Sequence, residues 1–240
     1  MINIAQFTDC HLSRTANADY ETKLGHVVDA IEALDVDAVF ATGDIADDGS
    51  VEAYQKFYEI TSKLSVPVYC IPGNHDDVTV MRSTPDLDVP EVVCLGEWQI
   101  VCVNTAVPGE VPGRVSPEGL TRLDALLAQP HRRHTGILMH HPLAEIGTAW
   151  IDPQRVRNSG QVSEILSQRE GVRWIANGHV HQSRASYYCG IDWFCTPATC
   201  RQFTENSHDF AVDDSLAPGF RLFKLFESGE FETEVRRLSV

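Results

Sequence analysis

The chain has 240 residues, 43% of them hydrophobic and 22% charged, enough to bury a sizeable core and unlike a disordered, fibrous or disulfide-dense chain. Its formal charge of -15, from 34 acidic against 19 basic residues, repels a polyphosphate backbone and so disfavours a nucleic-acid polymer as partner. No window nears the roughly 18 to 20 apolar residues of a membrane span, and the opening MINIAQFTDCHL has neither a basic leader nor a long apolar stretch, so a cytoplasmic protein with no membrane partner is expected.

Along the chain, short apolar β-branched runs alternate with segments of helical period. Ile2 to Phe7, Asp37 to Thr42 and Val66 to Ile71 read as strands. Between them, Tyr20 to Leu34 puts Leu24, Val27, Val28, Ile31 and Leu34 on one helical face, and Val51 to Leu64 does the same with Tyr54, Phe57, Tyr58, Ile60 and Leu64. Such βαβαβ order implies parallel strands. Val92 to Leu95 and Trp98 to Asn104 read as paired strands, Ser116 to Leu127 as a helix with Pro117 in its first turn, Gly136 to His140 as a strand and Ser159 to Gln168 as a helix. From Val172 onward the chain reads as strands between turns, among them Ala185 to Tyr188, Asp192 to Cys195 and Phe220 to Phe226, so the sheet is expected to be mixed. With no repeat and no long linker, residues 1–240 are read as one domain that includes a β-rich segment from about 183 to 240.

The seven cysteines, Cys10, Cys70, Cys94, Cys102, Cys189, Cys195 and Cys200, form no C-x-x-C pair, so they are read mostly as buried hydrophobes in a reducing compartment. The polar residues are more informative. Five strand ends run into five polar clusters: Asp9-Cys10-His11, Gly43-Asp44-Ile45-Ala46-Asp47, Gly73-Asn74-His75-Asp76, His140-His141-Pro142 and Gly178-His179-Val180-His181. Each has a plain reading. Asp-x-His and Gly-Asn are ordinary turn sequences, Asp47 and Asp48 could cap the following helix, and His140-His141 could end a strand. Together, however, they place carboxylates, an amide oxygen and four imidazoles at the ends of successive strands, which points to a dinuclear metal centre. Two cations roughly 3.5 to 4 Å apart repel and need a shared carboxylate between them, for which Asp44 is the natural choice. On an extended backbone, Asp9 with His11 and His179 with His181 would each face one cleft, with Cys10 and Val180 turned away.

Asp-x-His, Gly-Asp-x-x-x-Asp, Gly-Asn-His-Asp, His-His-Pro and Gly-His-x-His, in this order from Asp9 to His181, resemble the calcineurin-like metallophosphoesterases. Within that family, the stretch Gly43 to Ser50 and the tail Thr196 to Phe203 followed by Asp209 to Asp214 look like the bacterial class III cyclic nucleotide phosphodiesterases. The Cys at position 10, where relatives often carry Thr, departs at a non-ligating place. The resemblance implies an α/β four-layer αββα sandwich of two mixed sheets flanked by helices. It also implies one metal held by Asp9, His11, Asp44 and His181 and a second by Asp44, Asn74, His140 and His179, with His140 chosen over His141 by alignment. Iron and manganese are the implied pair, and oxygen and imidazole donors also suit zinc. The resemblance also makes a homodimer, paired through the C-terminal regions, a further expectation.

The expected reaction is hydrolysis of 3′,5′-cyclic AMP to 5′-AMP by a metal-bridging hydroxide. His75 would protonate the leaving ribose oxygen, Asp76 would orient His75 or serve the turn, and Asn74, His75 and His181 would contact the substrate. Two rivals stand beside it: a glycerophosphodiester or general phosphoester hydrolase with the same core, and a non-catalytic interaction scaffold on the same fold. His26, His131, His134 and His208 lie outside the motifs.

Overall fold

The computed structural model describes residues 1–238; positions 239 and 240, the end of the expected β-rich segment, lie outside the described residues. Strands β1 (Ile2–Phe7), β2 (Ala38–Thr42) and β3 (Val68–Ile71) pair in parallel, linked by helices α1 (Ala18–Glu32) and α2 (Val51–Thr61). Asn17 and Ser50 cap these helices, their side chains accepting from the backbone N–H of Tyr20 and Ala53. Asp48 supports the second cap by accepting from the N–H and hydroxyl of Ser50, so the helix start does not employ Asp47. A short helix α3 (Val78–Ser83), not foreseen from periodicity, follows β3.

The chain then builds a second sheet. An antiparallel hairpin of β4 (Val92–Leu95) and β5 (Trp98–Val103) is followed by α4 (Pro117–Ala128), β6 (His134–Met139), α5 (Ser159–Leu166) and β7 (Val172–Asn177). The hairpin of β8 (Arg184–Tyr188) and β9 (Ile191–Cys195) completes the order β4-β5-β6-β7-β9-β8. Finally β10 (Gly219–Leu225) returns to lie antiparallel to β1, and β11 (Phe231–Arg237) pairs outside it, giving the first sheet the order β11-β10-β1-β2-β3. Both sheets are therefore mixed, as expected.

Apolar side chains sort into three layers that define the stack. Leu24, Val27, Val28, Ile31 and Phe57 pack helices α1 and α2 on the outside of the first sheet. Leu123, Leu126, Leu127, Val162 and Leu166 pack α4 and α5 on the outside of the second. Between the sheets lie Ile4, Phe40, Ile100, Leu138, Trp174 and Phe223, so the architecture is the αββα sandwich. Tyr58 leaves the expected stripe and is 40% exposed, because Tyr54 and Phe57 already fill the face that α2 turns inward. Among the described residues, no helix is long and apolar enough to cross a membrane.

A polar thread runs through the sandwich towards the carboxyl ends of the strands. The buried Arg221 guanidinium donates to Thr196 Oγ1 and Cys195 O, Thr196 donates to Gln6, and Gln6 donates to Thr42. Above it, the loops after β1, β2, β3, β6 and β7 gather at one edge.

The stack of Trp174 on Phe223, ring centroids 4.3 Å apart and 17° from parallel, joins the two sheets directly. Phe223→Ala should therefore cost about 3 to 5 kcal/mol, read from urea denaturation. A loss below about 1 kcal/mol would contradict the inter-sheet core.

Candidate metal centre

The five polar clusters meet at this edge, and their backbones are unusual. Asp9, His11, Asp44, His179 and His181 all have positive φ, between 48° and 66°, a region that non-glycine residues seldom enter. The expected extended i, i+2 geometry is thus corrected: the paired side chains converge from left-handed turns, while Cys10 and Val180 still point into the cores. The loops hold these turns in place through Asp9 N–H to Gly43 O (3.0 Å), His11 N–H to Asp44 O (2.9 Å) and Gly178 N–H to His140 O (3.1 Å). Two glycines make room. A side chain on Gly43, whose φ is +93°, would run into the His140 ring, and one on Gly73 would run into the Asp44 carboxylate.

Asp44 sits at the middle of the cluster. Its Oδ2 is 3.3 Å from His140 Nε2 and 3.7 Å from His11 Nε2, and its Oδ1 accepts from the His75 N–H at 2.9 Å. On one side, Asp9 Oδ1 is 3.3 Å from His181 Nε2, and the His11 and His181 rings are 5.3 Å apart. On the other, Asn74 Oδ1 is 3.2 Å from His140 Nε2, and the His140 and His179 rings are 5.1 Å apart. The structure therefore brings together all seven side chains singled out as metal donors: Asp9, His11, Asp44, Asn74, His140, His179 and His181.

Three of the imidazoles are aimed by their other nitrogen. Nδ1 of His11 meets the Asp47 carboxylate at 2.9 Å, that of His140 meets Thr42 O at 2.9 Å, and that of His181 meets Arg201 O at 2.8 Å. With the proton held at Nδ1, the Nε2 lone pair faces inward, the arrangement of a ligating histidine. Asp9 Oδ1, His11 Nε2 and His179 Nε2 are buried without a hydrogen-bond partner. Buried acceptors left unpaired are costly, and three of them in one cluster with a shared carboxylate fit a pair of cations.

The charges tell the same story. Burial works against ionisation of Asp44 and Asp9, yet His140 holds Asp44 well below the usual carboxylate range and His181 lowers Asp9. Burial likewise opposes charge on His140, but Asp44 brings it up to about 9. Burial and the neighbouring histidines push His179 far down and His141 to about 3. His141 has no nitrogen to spare: Nδ1 lies 2.8 Å from the Thr105 hydroxyl and Nε2 lies 2.9 Å from Val111 O, whereas His140 turns its Nε2 to Asp44 and Asn74.

One expectation about Asp76 needs correction. Its carboxylate accepts from the N–H groups of Gly73 (2.8 Å), Ala46 (2.9 Å) and Ile45 (3.3 Å) and from the Tyr54 hydroxyl (3.1 Å), tying the β2 loop to the β3 loop. Burial and the Asp44 charge raise it to about 6. It does not orient His75. That work falls to Asp47, whose backbone O and Oδ1 lie 3.1 and 3.3 Å from His75 Nδ1 at the mouth of the cluster. Asp47 was read from sequence as a helix cap or motif neighbour, and only its approach to two histidines reveals it. Cys200 was also missed: its thiol lies 3.8 Å from His181 Nδ1, and burial raises it to about 11, so it stays a neutral neighbour. Of the other histidines, His134, at the start of β6, reaches Glu227 O of the β10–β11 turn at 3.1 Å, and His208 is exposed.

Residues 2–183 match the calcineurin-like phosphoesterase family model. The 3′,5′-cyclic adenosine monophosphate phosphodiesterase CpdA of Haemophilus influenzae is 33% identical across 99% of this chain and 90% of its own length. The protein of the same name from Escherichia coli K12 is 34% identical with the same coverage. Among solved structures, a dimetal phosphatase from Danio rerio superposes with a TM-score of 0.68 at 14% identity, covering 99% of both chains. A purple acid phosphatase from yellow lupin gives 0.71 at 13% identity, covering 98% of this chain and 51% of its own. On the family match and the near full-length relatives, the chain belongs to the calcineurin-like metallophosphoesterases, a family of metal-dependent hydrolases.

Proposed function

We propose that this chain is a phosphodiesterase that uses two metal ions to hydrolyse 3′,5′-cyclic AMP to 5′-AMP in the cytoplasm, with residues 1–240 acting as one domain. The observation that carries the reading is Asp44, one oxygen of which faces His140 at 3.3 Å and His11 at 3.7 Å, between two donor groups that contain buried, unpartnered acceptors. Relatives named CpdA that align over nearly the whole chain support the cyclic nucleotide as substrate. Asp9, His11, Asp44 and His181 would hold one ion, and Asp44, Asn74, His140 and His179 the other. When bound, such a pair acidifies water and neutralises charge on phosphoryl oxygens. The oxygen and imidazole donors suit iron with manganese, or zinc.

The protein's own side chains supply the rest. Asn74, His75 and His181 flank the place for the phosphate. His75, 38% exposed at the mouth, donates its Nδ1 proton to Asp47, which leaves Nε2 to carry a second proton. Delivering that proton to the ribose 3′ oxygen spares the reaction a free alkoxide leaving group, and Asp47 holds the ring in place for it. The full donor set also weighs against a scaffold that has lost its chemistry.

His75→Ala should retain both metals and lose about 10²- to 10⁴-fold in kcat on cyclic AMP. The loss should be much smaller on an aryl phosphodiester whose leaving group needs no proton; equal losses would discredit the acid. Asp44→Ala should fail to retain two ions by elemental analysis, because both positions share that carboxylate. The substrate is tested by rates on cyclic AMP, cyclic GMP, glycerophosphodiesters and nitrophenyl phosphates. Conversion of cyclic AMP to AMP as the leading activity supports the reading, and good rates on everything except cyclic nucleotides overturn it.

A further inference from the structure

A connected set of aromatic rings leads away from the metal centre. The Phe203 ring stacks on His181 with centroids 4.0 Å apart and planes 9° from parallel. Phe210 meets Phe203 edge-on at 5.4 Å, and Trp150 meets both, Phe203 at 5.0 Å and Phe210 at 5.1 Å. Phe203 is buried, whereas Phe210 is 57% exposed. An exposed phenylalanine held by two edge contacts leaves an apolar face open to a partner.

The segment that carries Phe210 is well anchored. Phe203 and Val212 bridge in antiparallel fashion, and the Thr204 N–H donates to Ala211 O at 2.9 Å. Asn206 N–H donates to Thr148 Oγ1 at 3.1 Å, and the same hydroxyl accepts from the side chain of Gln182, the residue after His181, at 3.2 Å. The ring is thus fixed relative to His181, and a stack on it needs little reordering. The surrounding charge narrows the occupant. Glu205, Asp209, Asp213 and Asp214 outnumber Arg201 on the same segment, and Glu205 is paired with Arg184, so in a chain of net charge -15 a second phosphate is disfavoured there. A neutral, flat heterocycle would not be.

We propose that Phe210, backed by Trp150 and Phe203, is the stacking platform for the nucleobase of a nucleotide whose phosphate lies at the metal centre. This rests on the phosphodiesterase reading above and adds to it the element that recognises the base. It also sets the substrate class: one phosphate and one base, in preference to dinucleotides or oligonucleotides. Stacking on an aromatic side chain tolerates any base, so the platform selects for the presence of a base and favours the larger purines.

The test compares Phe210→Ala, Phe210→Leu and Phe210→Trp with the parent on cyclic AMP and on a ribose 3′,5′-cyclic phosphate that lacks a base. Phe210→Ala should raise KM for cyclic AMP roughly tenfold or more, with kcat nearly unchanged and no effect on the base-free substrate. Phe210→Leu should behave like Phe210→Ala, and Phe210→Trp should restore the parental KM. In parallel, calorimetry should show that Phe210→Ala weakens binding of AMP but not of ribose 5-phosphate. That arm decides the platform even if cyclic AMP proves not to be cleaved, an outcome that would sink the substrate reading instead. Equal effects on substrates with and without a base, or none on either, would overturn the proposal. So would a variant that changes only the mass of the particle in solution, since the ring would then serve contact between copies of the chain.

Discussion

Everything at the working edge of this fold follows from gathering two carboxylates and four imidazoles where almost no water reaches. Left uncompensated, that burial is costly, and the structure shows the cost in three acceptor atoms without partners. The surrounding chain is shaped to hold the arrangement. Five donors sit in left-handed backbone, and glycines at positions 43 and 73 let neighbouring side chains close in. Backbone carbonyls and Asp47 lock three rings by their outer nitrogens. A pair of cations is the complement that removes the penalty, so the features that strain this cluster are those that would make it bind.

The sandwich explains why the donors can come from so far apart in sequence. Parallel strands in both sheets end at a common edge, and each loop there contributes one or two donors. Contacts such as His140 Nδ1 with Thr42 O cross from one sheet to the other, so the centre joins the two halves as well as depending on them. The last strands matter for the same reason. β10 and β11 enter the first sheet and β8 and β9 the second, so the tail is part of the frame that holds β1 and β7.

Much of this was legible in the residues because apolar β-branched runs mark the strands and the donors follow directly after them. What stayed hidden has physical causes. β11, Phe-Glu-Thr-Glu-Val-Arg-Arg, has four charged residues and no apolar run, and it forms a strand by pairing with β10 along its whole length. Asp76 looked like the partner of His75 because the two are adjacent, but adjacent side chains diverge, and the carboxylate that reaches the ring is Asp47 on another loop. The left-handed turns at Asp9, His11, His179 and His181 could not be read from a pattern that serves an extended strand equally well. Phe210 was one aromatic among many until its contacts linked it to His181.

The measurement that bears most directly on the centre is the metal content of the purified chain, taken by elemental analysis together with its rate of converting cyclic AMP to AMP, before and after chelation and reloading. The account predicts two ions per chain, loss of turnover and of thermal stability when they are stripped, and recovery of both when iron, manganese or zinc is returned. A chain that holds at most one ion, or that turns over cyclic AMP at full rate without any, would contradict it.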